Sequence, residues 1–175
     1  MSEDYFVPHY DILLRCAAIE KEAFTANSIT SDIYPYWRLA QENFPYCVNK
    51  ISSGRYSFDT ESVLDEAVTV EILMLVGQIS EGYRGNESEV ERRFYQYLHI
   101  LQQAFLCQWR EAGKSGGAWL ASAAYPKEPT YLQEQGISLV SHSGLSELRQ
   151  TNVDQGQLGT RIILSVPTMV QIGGR

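Results

Sequence analysis

Apolar residues recur along this chain with two different periods, and the changes of period mark out its elements. From 10 to 24, YDILLRCAAIEKEAF, Ile12, Cys16, Ile19 and Ala23 fall at helical spacing, with Leu13, Ala17 and Phe24 beside them. This predicts an amphipathic helix. Pro8 suits its first turn, where a missing N–H costs nothing, and Asn27 and Ser28 mark its end. From 67 to 79, AVTVEILMLVGQI, the period is two: Val68, Val70, Ile72, Met74 and Val76 share one face, and Thr69, Glu71, Leu73 and Leu75 the other. The expectation is a strand with one face in a core. The other face is wetter at Glu71 but partly covered at Leu73 and Leu75. Asn86 then opens a long helix with Glu89 in a capping-box arrangement. Its stripe is Val90, Phe94, Tyr97, Leu98, Leu101, Ala104 and Phe105, and Gly113 before KSGG ends it.

The end of the chain raises a problem of length. LGTRIILSVPTMVQI, residues 158–172, alternates throughout. Leu158, Thr160, Ile162, Leu164, Val166, Thr168, Val170 and Ile172 face one way, and Gly159, Arg161, Ile163, Ser165, Pro167, Met169 and Gln171 the other. As one strand it would span about 50 Å at ~3.3 Å per residue. A compact domain of this size is only about 40 Å across. Pro167 has no N–H to give to a sheet ladder. The expectation is therefore a sheet strand over 158–166 and an apolar extended tail over about 168–175, docking on a neighbouring subunit.

The remaining segments are read from their breakers. Residues 28–45 form an aromatic-rich connection interrupted by Pro35, with Tyr34, Tyr36 and Trp37 as a lid on the core or an interaction surface. In 46–59 two extended segments meet at a turn at Ser53 and Gly54. Residues 117–126 suit a short helix, 137–150 a strand and 152–157 a turn-rich connection, while polar loops are expected at 52–66 and 150–157. The order gives a single α+β domain over 1–175. It is a two-layer arrangement, a mostly antiparallel sheet packed by a long amphipathic helix and an N-terminal helix.

Composition narrows the function. The chain has 175 residues, enough for one domain with a sizeable core, and a net charge of −7. Acidic balance argues against a large nucleic-acid-binding face, yet suits a passage through which DNA slides without sticking. No apolar run reaches about 18 residues, so no membrane span is expected. The start, MSEDYFVPHY, lacks the basic-then-apolar pattern of a signal peptide, so residence in a cytoplasm is expected. Cys16, Cys47 and Cys107 are few, odd in number and widely spaced, as in a reducing compartment.

The search for chemistry returns little. His9, His99 and His142 stand apart from one another and from cysteines, so no metal site is expected. His142 in VSHSG lacks the strained G-x-S-x-G elbow of a serine nucleophile. GKSGG follows a helix instead of preceding one, and Gln108 stands where a phosphate loop needs glycine. Glu87, Glu89 and Glu91 are accounted for by the dipole of a helix start. Arg92, Arg93, Arg110 and Lys114 read as a solvated helix face, or as inter-subunit ion pairs. No catalytic residue, metal or cofactor is expected.

The element order supplies a sharper expectation. A helix leads to a hairpin, AVTVEILMLVGQ precedes a long amphipathic helix, and the chain closes on GTRIILSV. Over roughly residues 8–172 this pattern resembles the tail terminator and tail-completion (neck) proteins of tailed bacteriophages, with no diagnostic motif. The resemblance implies a structural virion protein, assembled in the host cytoplasm. It would form a hexameric ring that caps the tail tube and joins it to the neck or head-completion protein, and in contractile tails to the sheath. The aromatic segment 28–45 is a departure from the family pattern. Interface candidates are Arg161, Ile163, Thr168, Met169, Val170 and Ile172, with Arg92 and Arg93. The alternatives are another head–tail connector or a small non-catalytic adaptor whose ligand face is the aromatic segment; an enzyme is the third class.

Overall fold

The computed structural model describes residues 8–36, 43–58, 63–78, 87–106, 137–148 and 156–171. In chain order they form α1 (Pro8–Ala26), β1 (Asp32–Tyr34), β2 (Tyr46–Phe58), β3 (Val63–Gln78), α2 (Glu87–Leu106), β4 (Ser138–His142), β5 (Ser146–Leu148) and β6 (Gln157–Gln171). All six strands lie in one sheet, in the order β1-β2-β3-β6-β4, with β5 also paired to β6. β1 runs parallel to β2 and every other pairing is antiparallel, so the sheet is mixed and the fold α+β.

α1 begins at the expected proline and stops where its backbone reverses. Ser28 adopts φ 58, and the amides of Ser28 and Ile29 bond back to the carbonyls of Thr25 and Phe24. That is the Schellman arrangement, with serine where glycine is usual. The Asn27 side chain caps a further carbonyl, that of Ala23.

The two faces of the sheet follow from register. Ile72 sits opposite Asn49 on β2 and Ile162 on β6, and Met74 opposite Cys47 and Thr160. Directly opposed residues point the same way, so Val68, Val70, Ile72 and Met74 share a face with Cys47, Asn49, Thr160, Ile162, Leu164 and Val166. These are buried, and their apolar members form one cluster with Ile12, Cys16, Ile19 and Phe24 of α1 and Val90, Phe94, Tyr97, Leu98, Ile100, Leu101 and Phe105 of α2. Phe24 meets Tyr97 edge-on at 5.7 Å, joining the helices. The side chains foreseen for the core side of β3 are all there. The second face of β3 is partly covered, as its leucines implied: Leu75 is fully buried and Leu73 half-buried.

The strands depart from the sequence reading in four places. β2 is continuous, and Ser53 and Gly54 are not a turn. A bulge at Ser52 shifts the register between Ile51 and Ser53, and pairing with β3 resumes through Phe58. The same pairing makes 52–58 and 63–66 strand instead of loop. Within the aromatic connection, Asp32–Tyr34 escapes the effect of Pro35 by pairing with Tyr46–Val48 before the proline is reached. The expected strand at 137–150 is two short ones, separated where Gly144 takes φ 75.

The fourth departure concerns β6. It does not leave the sheet at Pro167: it pairs with β3 from Gln157 to Gln171, with Pro167 opposite Ala67 and Thr168–Val170 opposite Glu66–Leu64. The proline is accommodated by where β4 stops. β4 covers β6 only from Ile162 to Ser165. Arg161 directs both its N–H and its C=O to Ser143, on the β4 side. Alternation carries that direction to Pro167, beyond the end of β4, where no described residue needs its N–H. The 168–175 tail is thus strand as far as Gln171. The opening helix residue Asn86, the helix end near Gly113, the short helix at 117–126, Trp37, Cys107, Arg110, Lys114 and Ile172 lie outside the described residues.

Candidate assembly surface

The sheet face turned away from the helices has two halves. One is covered: Tyr34 and Phe44 pack against Tyr46, Val48 and Leu75, with Leu73 at the margin. Tyr34 lies 5.8 Å from the Tyr46 ring and 6.3 Å from that of Tyr36. Asp32 fastens this lid by accepting bonds from the backbone N–H of Asn43 at 2.7 Å and from its side-chain amide at 3.1 Å.

The other half carries a charged trio across three strands. Glu71 of β3 takes Lys50 Nζ from β2 at 3.2 Å and Arg161 Nε from β6 at 3.4 Å. Both cations are more than half exposed, so each pair contributes only about 0–1 kcal/mol. Ile163 stands beside the trio, opposite Glu71, and is half-buried. Among the described residues, β2 beyond Val48 and β6 beyond Ser165 are paired on one side only. They are different strands on opposite sides of β3, each with a ladder edge facing outward.

The interface residues expected from sequence fall in two places. Arg161 and Ile163 lie on the face away from the helices, and Thr168, Met169 and Val170 continue the same strand. Arg92 and Arg93 lie on α2, whose apolar side joins the core on the opposite face. Arg92 pairs within its own helix, its Nη2 lying 2.8 Å from Glu89 Oε1. Its hydrogen bond holds the Glu89 carboxyl below the usual range, and Glu89 raises the guanidinium in return.

Two polar clusters have no counterpart in the sequence reading. Near the start of α1, His9 Nε2 lies 2.7 Å from Glu66 Oε2, with Glu66 nearly fully buried. Tyr56, exposed on β2, has its phenol raised by a hydrogen bond to the same carboxylate. Gly54 makes room for it, since a Cβ there would collide with Glu66 Oε1. Between α1 and the sheet, the fully buried Glu20 accepts a bond from Asn49 Nδ2 at 3.2 Å. Burial pushes the Glu20 carboxyl up to about 8, partly offset by that bond. A signal for Glu20 did exist: it stands four residues after Cys16 and four before Phe24, within the apolar stripe. The Glu66 cluster had none, because its members come from three elements.

The remaining candidates are isolated. His99 is exposed on α2, and His142 is exposed on β4, accepting a bond from the Gly144 N–H at 3.2 Å. Cys16 and Cys47 are buried free thiols, their pKa values pushed up by burial. Among the described residues, no three His, Cys, Asp or Glu side chains are grouped to hold a metal, and no helix is long and apolar enough to cross a membrane. No protein-family model matches the chain, and no curated protein matches it.

Proposed function

We propose that the chain is a structural, non-catalytic subunit that closes into a ring, acting as a phage tail terminator that caps the tail tube and joins it to the neck. The observation that carries this reading is the pair of unlike edges, on β2 and on β6, that are one-sided among the described residues of one sheet. A contact between two different patches is heterologous and generates a ring when its rotation closes. Extended β6 segments such as Thr168–Gln171 are natural partners for a neighbour's edge. In this reading the long amphipathic helix α2 and the N-terminal helix α1 form the second of two layers and close the core face. The half of the other sheet face that carries Arg161 and Ile163, beside the half covered by Tyr34 and Phe44, is then the one offered to neighbours.

The net charge of −7 supports a channel that DNA crosses without specific binding. The partners in this role are five further copies, the tail tube protein, a neck or head-completion protein and, in a contractile tail, the sheath. The place of action is the virion, after assembly in the host cytoplasm. Another head–tail connector position uses the same edges and is the nearest alternative. Negative-stain images of the purified protein, alone and mixed with tail tubes, test the reading. Rings, free or seated on one tube end, are expected. Uniform small particles that ignore tube ends and bind a small ligand would identify an adaptor.

A further inference from the structure

Glu20 and Asn49 present a bonding problem. Both are buried, at 0% and 1% exposure. The Asn49 amide nitrogen donates to two acceptors, Glu20 Oε2 and the Tyr34 carbonyl, each at 3.2 Å. Those two acceptors fix which way the amide faces. That leaves two buried oxygens, Glu20 Oε1 and Asn49 Oδ1, without a partner. Two lone acceptors cannot satisfy each other, and a buried oxygen left without a donor is destabilising. One proton resolves both.

We propose that Glu20 is held protonated in the folded subunit, with Oε1–H donating to Asn49 Oδ1, and that this acid–amide pair is a pH-dependent latch on the β1 lid. The pair links three elements. Glu20 comes from α1, Asn49 from β2, and the second amide hydrogen of Asn49 holds the last carbonyl of β1. The Tyr34 ring, one residue unit with that carbonyl, covers the sheet face at Tyr46.

The surroundings favour the neutral acid. The titratable groups on which the charge of Glu20 acts are the thiols of Cys16 on α1 and Cys47 on β2, which burial and then that charge raise. α2 contributes Phe94, Tyr97, Leu98 and Leu101 to this core, and β3 contributes Ile72 and Met74. Tyr97 is the titratable member, and burial raises its phenol. When Glu20 loses its proton to solvent, Oε1 and Oδ1 repel. Asn49 then swings Oδ1 away from the carboxylate, and the bond from its Nδ2 to Tyr34 is lost. The lid then loosens over Tyr46, Val48 and Leu75.

The test uses the intact protein. The side-chain carboxyl carbon of Glu20 is followed by NMR from pH 5 to 10, and hydrogen exchange of the Asp32 amide, which bonds to the Pro45 carbonyl, is measured over the same range. Exchange is corrected for the intrinsic pH dependence. The Glu20 signal is expected to titrate near pH 8, with Asp32 protection falling about tenfold through the same step, the worth of one hydrogen bond. Glu20→Gln should keep Asp32 protected throughout, because its amide donates to Oδ1 and accepts from Nδ2 without titrating. Titration of Glu20 in the ordinary carboxylate range overturns the proposal. So does unchanged Asp32 protection across the step, or the same loss of protection in Glu20→Gln.

Discussion

Replacing Glu20 by Gln should make this protein more stable at neutral and alkaline pH, although it removes a buried side chain's native chemistry. The magnitude follows from linkage. The carboxyl titrates near 4.5 when solvated and at about 8 when folded. Below pH 4.5 both states hold the proton, and the full stability of the neutral pair is present. Between 4.5 and 8 the unfolded chain releases the proton while the folded one retains it. Stability therefore falls by ~1.4 kcal/mol per pH unit, and above 8 it levels off. The loss reaches about 3 kcal/mol at pH 7 and about 5 kcal/mol at pH 9, as upper values. Gln has nearly the same shape and no proton to lose. Urea unfolding of both proteins at constant ionic strength, from pH 5 to 9, isolates the effect, because other groups cancel in the difference. The two should be close at pH 5 and diverge steadily up to pH 8, Gln the more stable. A difference that does not change with pH, or one that favours Glu as pH rises, refutes the argument.

Three further substitutions probe other parts of the structure. Ile162→Asp puts a charge at a fully buried position flanked by Ile72, and a loss of several kcal/mol should leave the subunit unfolded by circular dichroism. Gly54→Ala forces the Glu66 carboxylate, which bonds His9 and Tyr56, to shift, and should cost about 1–3 kcal/mol in chemical denaturation, with Tyr56 titrating closer to an ordinary phenol. Deleting residues 168–175 removes the part of β6 opposite Val63–Glu66 but leaves Gly159–Leu164 paired across the core. Thermal unfolding should stay cooperative while ring formation, read by electron microscopy, weakens.

The parts legible in the sequence were those fixed by local periodicity. β3 showed its core face because each Val, Ile or Met at period two meets the same layer, and α1 showed its end because Asn27 and Ser28 suit a reversal. Features that depend on which strand lies alongside were not legible. Pro167 reads as a strand breaker unless one knows that β4, on the side its N–H would have faced, pairs with β6 no further than Ser165. Ser53 and Gly54 read as a turn unless one knows that Glu66 needs the space a side chain would fill. The candidate surface was half visible. Arg161 and Ile163 alternate out of the core as expected, but their neighbours Lys50 and Glu71 come from distant segments, and Arg92 belongs to the other side of the sheet.

Edges of one β-sheet that the described residues leave half paired are the centre of the account, and solution mass tests it most directly. Each chain has a mass of 19.8 kDa. Native mass spectrometry should find six-chain assemblies, either in the free protein or after addition of tail tube ends. A particle that holds one chain under both conditions would contradict it.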